Sequence, residues 1–237
     1  MDLAEDLHVH STFSDGSDSL EANLAAAVGA GLSRLGCVDH VRRTSGWVAD
    51  YVRAVKLLGA STHVVLTAGI EAKLLDADGR LDLPPDFALA DAVYIADHQF
   101  PWDDGLRAPR DVRACILDGT VTASDAIARL LGATIACMHR YADHALVLAH
   151  PFSILPKIGL DEDLVPGRCL ASLASAAAQT RTTIEVSERW RCPSLRVARV
   201  FHDAGVTLAS STDSHRASTV GQYSYVAQVA AAVRGSP

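Results

Sequence analysis

Residues 6–16 read DLHVHSTFSDG and bring His8, His10 and Asp15 close together in the chain. Neutral imidazole nitrogens and carboxylate oxygens are ligands for zinc, manganese and iron, so the chemistry this stretch suggests is metal binding. A lone His-x-His is a weak signal, because core and surface histidines are common. The same residue types recur, however, as His40 in VDH, Glu71 in GIE, His98 in IADH, His150 in LAHP, and Asp213 and His215 in SSTDSH. Strands alternate faces with period two, which lets His8 and His10 point the same way, and likewise Asp213 and His215 if that segment is extended. Six imidazoles and three carboxylates would make a poor apolar core and a good ligand set. One ion takes about four protein ligands, so this set suits two or three divalent ions (Mn, Zn or Fe) with carboxylates bridging.

These residues can act together only if the fold gathers them. Short apolar runs alternate with longer amphipathic ones. Strands are expected at 4–9, 34–38, 64–70, 92–96, 145–149, 182–187 and 206–211, and helices at 20–30, 48–59, 109–117, 123–142, 168–179, 194–204 and 218–233. Gly31, Gly59, Gly119 and Gly205 fall at joins, where helix breakers belong. Alternation of this kind implies βαβ units and a parallel sheet. The result is either a barrel about one unit short of the eight-unit type or an open doubly wound sheet. In a β/α barrel the chemistry lies at the carboxyl ends of the strands, and all nine residues fall at or just beyond such ends. The remaining histidines, 63, 139, 144 and 202, are assigned to surface or helix positions.

Bulk properties narrow the function further. The chain has 237 residues and a net charge of -7, which argues against a surface for long nucleic acid. It is expected to form one domain, 1–237, since no linker-like stretch divides it. No apolar run is long enough for a membrane span, the acidic N-terminus does not resemble a secretory signal, and the five scattered cysteines read as reduced thiols, so a cytoplasmic protein is expected.

Taken together, the motifs DLHVHSTFSDG, VDH, GIEAKLLDADGRLDLP, IADH, LAHP, IEVS and SSTDSH, in this order over nearly the whole chain, resemble the PHP (polymerase and histidinol phosphatase) family. The resemblance implies an α/β fold, a distorted (β/α)7, TIM-like barrel, with a two- or three-metal centre. It also implies that His8, His10, Glu71 and Asp213 hold one ion and act in catalysis through it. Glu71 would bridge to a second ion shared with His98 and His150, and Asp15, His40 and His215 would hold a third. Val38 and Ala96 stand where the family often has Thr and Ser, and Asp97 has no assigned role.

Two or three divalent ions set against three carboxylates would leave the centre cationic and suited to a phosphomonoester dianion. Metals lower the pKa of water, so that a metal-activated hydroxide can attack phosphorus without a nucleophilic side chain. Phosphate recognition usually adds arginine, and Arg42, Arg189 and Arg216 are the candidates for substrate binding. Trp47, Trp102 and Trp190 follow strands two, four and six and serve either as loop anchors or as an apolar wall around the substrate. The segment 99–109, QFPWDDGLRAP, is the expected lid. Glu185 could share a strand face with Ser187 but has no metal role assigned. The leading expectation is a phosphatase acting on a small, histidinol-phosphate-like metabolite. The alternatives are a phosphodiesterase or exonuclease on nucleotides or short nucleic acid, and a metal-binding accessory module without turnover.

Overall fold

The computed structural model describes residues 1–103 and 105–235. Seven parallel strands form one sheet: β1 (Glu5–Val9), β2 (Arg34–His40), β3 (Val65–Lys73), β4 (Ala92–Ala96), β7 (Leu146–Leu148), β8 (Thr183–Ser187) and β9 (Leu208–Ser211), neighbours in that order. The sheet curls until its outer strands meet. Val9 bridges Ser214 just beyond β9, through His10 N–H to Ser214 O (2.8 Å) and Ser214 N–H to His8 O (3.3 Å). The seven strands thus form a nearly closed, distorted (β/α)7 barrel, and the open-sheet alternative is set aside. Around it lie α1 (Leu20–Gly29), α2 (Val48–Gly59), α3 (Pro109–Leu117), α4 (Ala123–Arg140), α5 (Gly167–Thr180), α6 (Leu195–Asp203) and α7 (Tyr225–Arg234). Among the described residues no helix is long and apolar enough to cross a membrane.

The barrel interior is small and filled. Val38, Ala92, Tyr94, Val147 and Ala149 form their own cluster, apart from the larger core between strands and helices. The Tyr94 ring lies across the interior against Gly69, where a Cβ would come within 2.7 Å of it. Its hydroxyl donates to the Leu7 carbonyl.

A bulge in β1 aims the first histidines. Asp6 pairs with Leu35 and Val9 with Cys37, so β1 spends one residue more than β2 over this span. Such an insertion changes which face the following side chains take. Leu35, Cys37 and Val9 all belong to the core outside the barrel, and His8 and His10 turn toward the mouth.

Two expected elements differ. The helix placed at 218–233 begins only at Tyr225. Gly221 has φ +69°, which interrupts a right-handed helix, and residues 217–219 form a separate 3-10 turn. The backbone N–H groups of Ser224, Tyr225 and Val226 are capped from elsewhere in the chain, by the Glu188 carboxylate. The segment 99–109, expected as a lid, includes Asp104, which lies outside the described residues. On either side of Asp104 the short strands β5 (Phe100–Trp102) and β6 (Gly105–Arg107) pair antiparallel.

Candidate metal centre

The carboxyl ends of the barrel strands bring the nine predicted residues to one rim, eight of them in three overlapping sets and His150 beside these through Glu71. His8, His10 and Asp213 form a buried set, His10, Asp15, His40 and His215 a more open one, and His40, Glu71 and His98 a third; each set offers ligand atoms mutually within 4.8 Å. Glu71 lies between them. Its Oε1 is 3.0 Å from His150 Nε2 and 3.2 Å from His98 Nε2. Its Oε2 is 2.7 Å from His40 Nδ1 and 3.6 Å from both His8 Nε2 and His10 Nε2. Asp15 Oδ2 reaches His40 Nε2 (3.5 Å) and His215 Nε2 (3.4 Å), and Asp213 Oδ1 reaches His10 Nε2 (3.2 Å). The sets differ from the expected grouping: Glu71 is not within the His8–His10–Asp213 set, His40 rather than His150 joins Glu71 and His98, and His10 is shared with the outer set.

The electrostatics call for cations at this rim. Burial would push the Glu71 carboxyl up, but His8, His150 and His40 hold it well below the usual carboxylate range. Burial opposes a charge on His8 and on His150, yet Glu185 and Glu71 raise the first well above its ordinary value, and Asp97 and Glu71 raise the second to about 10. Buried His10 is pushed the other way, down to about 4, chiefly by desolvation, with His8 adding to it. His10 Nδ1 is also buried without a hydrogen-bond partner, and an orphaned polar atom of this kind is costly unless it ligates something. The residues therefore fit divalent ions.

A surrounding layer orients the candidates. His8 Nδ1–H donates to Glu185 Oε2 (2.7 Å), which leaves the Nε2 lone pair facing the rim; a carboxylate behind a ligating histidine fixes its tautomer and raises its basicity. His150 Nδ1–H donates to Ser153 Oγ (3.0 Å), whose hydroxyl donates to Asp97 Oδ1 (2.9 Å), so Asp97 acquires a place behind His150. Asp39 accepts from the backbone N–H and hydroxyl of both Ser11 and Ser14 and so braces the loop that carries Asp15. Asp213 Oδ2 accepts from Trp190 Nε1–H at 2.6 Å. His150 and Asp213 both adopt left-handed backbone angles, φ +28° and +52°. Strain in non-glycine residues persists only where the surroundings over-determine it, and it clusters at functional sites.

The arginines and tryptophans divide. Arg42 lines a cleft of about 470 Å³ with Asp15, His40, Glu71, Lys73 and His98, and Phe13 and Trp47 form an aromatic wall in it. Arg189 and Arg216 line a different groove. Trp102 packs into the core with the guanidiniums of Arg107 and Arg129 over its ring. Trp47 matches the wall reading and Trp102 the anchor reading, while Trp190 does something neither anticipated, through its indole N–H. Of the other histidines, His63, His139 and His202 are exposed and His144 meets Phe87 edge-on.

No family model matches the chain. The fold is that of the histidinol phosphate phosphatase of Lactococcus lactis, solved with zinc, L-histidinol and phosphate: TM-score 0.65 at 13% identity, covering 97% of this chain and 92% of that one. A protein of similar designation from Listeria monocytogenes superposes with TM-score 0.60 at 11% identity, covering 92% and 97%. In sequence, 74 residues are 40% identical to the phosphoribosyl 1,2-cyclic phosphate 1,2-diphosphodiesterase of Eggerthella lenta. That match takes in 31% of this chain and 26% of the relative.

Proposed function

We propose that this chain is a metal-dependent phosphoesterase of the PHP (polymerase and histidinol phosphatase) family, and that its substrate is a small phosphomonoester. The observation that carries the reading is Glu71, whose two oxygens face separate groups of imidazoles, Oε1 toward His98 and His150 and Oε2 toward His40. That is the arrangement a bridging carboxylate needs. His8, His10, Glu71 and Asp213 would hold one ion, Glu71 would bridge to a second shared with His98 and His150, and Asp15, His40 and His215 would hold a third. Bound ions would supply a reactive nucleophile from water and offset charge on the phosphoryl oxygens.

The chain's own groups do the rest. Glu185 and the Ser153–Asp97 pair keep the Nδ1 protons of His8 and His150 in place. Arg42 and Lys73 line the cleft with the metal candidates and suit the nonbridging oxygens, to which Arg189 and Arg216 add positive charge from the neighbouring groove. Phe13 and Trp47 offer an apolar wall for the organic part and keep bulk water from it. The two histidinol phosphatases of like fold favour the monoester reading.

A second reading, hydrolysis of a phosphodiester, is favoured by the Eggerthella lenta relative, whose name describes a cyclic diester substrate. The test is metal analysis followed by turnover of p-nitrophenyl phosphate and its bis-ester, with Mn, Zn and Fe restored separately. Preferred turnover of the monoester is the expected result. Preference for the bis-ester would select the second reading, and a protein that neither contains nor takes up divalent metal would end both. His150→Ala is expected to lose most of the turnover.

A further inference from the structure

The aromatic cleft is not the only hollow at the rim. A groove of about 380 Å³ lies beside it, lined by Arg189, Asp213, His215, Arg216, Thr219 and Gln222 among others. The two hollows share no lining residue. The divide between them is the outer ligand set: Asp15 and His40 line the cleft and His215 lines the groove, and Asp15 Oδ2 lies 3.4 Å from His215 Nε2. A group held at the outer set therefore has both hollows within reach.

The lining carries two arginines and two carboxylates, Glu188 and Asp213, and both carboxylates are engaged away from the arginines. Among the described residues neither Arg189 nor Arg216 forms an ion pair with a carboxylate. The nearest acid along the chain, Glu188, has its oxygens engaged by the N–H groups that begin α7. Asp213 faces Trp190 Nε1 and His10 Nε2. Arg189 is exposed but held, its Nη1 donating to the Asp213 carbonyl (3.3 Å) and lying 2.5 Å from His215 Nδ1. Arg216 is exposed, and Thr219 and Gln222 add neutral hydrogen-bonding groups. In a chain of net charge -7, two arginines without carboxylate partners at the edge of a cationic centre form a local anion site.

A simple phosphomonoester needs one hollow for its organic part, and the aromatic cleft provides it. We propose that the Arg189–Arg216 groove is a subsite for a second anionic group, carboxylate or phosphate, on the same molecule as the scissile phosphoryl group. The inference rests on the phosphoesterase reading and deepens it: the substrate is a bis-anion that spans the outer ligand set. Arg42 and Lys73 are then left to serve the phosphoryl group, and Arg189 and Arg216 serve the distal one.

The experiment uses zinc-loaded protein and phosphonates, whose C–P bond is not hydrolysed. Binding of simple alkylphosphonates is compared by calorimetry with that of ω-carboxyalkyl and ω-phosphonoalkyl phosphonates over a short series of linker lengths. The best ω-anionic ligand is expected to bind about tenfold or more tighter than its uncharged counterpart, as a charge-assisted arginine contact warrants. Arg216→Ala should remove most of that advantage and Arg216→Lys should restore part of it. The carboxylate and phosphonate arms show which anion the groove prefers. Equal binding at every linker length overturns the proposal. So does an Arg216→Ala protein that weakens charged and uncharged ligands alike, or one that leaves the advantage intact. Turnover of phosphomonoesters is assayed separately, so a failure of hydrolysis counts against the phosphoesterase reading while the binding comparison still decides the groove.

Discussion

At Asp213 the indole of Trp190 fixes one carboxylate oxygen and leaves the other facing His10. Phenylalanine at position 190 would keep most of the packing and lose the donor. Removing such an outer partner of a ligand typically costs about 10–100-fold in metal affinity. Trp190→Phe is accordingly expected to bind metal in that range more weakly in a chelator competition, with little change in the melting temperature of the metal-free protein. An unchanged affinity would reduce Trp190 to a packing residue. The nine ligand candidates themselves were legible in the sequence, because each is a metal-binding residue type at or just beyond the carboxyl end of an expected strand. Their partners were not. Ser153 and Asp97 are 56 positions apart, and nothing local marks a serine as the link between a histidine and a distant aspartate. Trp190 was noticed as an aromatic ring, and its donor N–H matters more.

Among the elements, strand positions were read closely, since β-rich apolar runs bounded by glycine carry a strong local signal. The bulge in β1 was invisible, because it depends on register with β2. The short strands β5 and β6 were hidden for a related reason: three residues each, one with a proline, give no period to read. The late start of α7 shows the same limit at a helix end. Its cap is Glu188, which precedes its first residue by 37 residues. Glu188→Ala leaves three backbone donors without that acceptor and should destabilise the fold by ~1–2 kcal/mol, the usual cost of a lost cap. Denaturant titration would read this as a lower midpoint. Metal affinity, measured in parallel, should stay close to that of the parent protein, because Glu188 touches none of the ligand candidates directly.

At the scale of the molecule, the barrel seam and the metal centre coincide. The first and last strands meet through backbone bonds around His8, His10 and Ser214 and through the Asp6 carboxylate, which accepts from the Thr212 N–H and hydroxyl, and side chains from both sides of that seam meet in the His8–His10–Asp213 set. An ion held there would tie the two ends of the sheet. Ligands that bind only the native state stabilise it by about 4 kcal/mol at a thousandfold excess over Kd. Stripping the metal should therefore lower the melting temperature, and hydrogen exchange should accelerate first in β1 and β9, ahead of α2. Uniform acceleration would separate the centre from the seam.

The Tyr94 ring packed against Gly69 has a kinetic corollary. With the barrel blocked behind the rim, whatever enters from the front must leave the same way, and under the proposed function the freed phosphate would depart through the space the next substrate needs. Orthophosphate is thus expected to inhibit competitively in initial-rate measurements, whereas a noncompetitive pattern would point to an exit by another route.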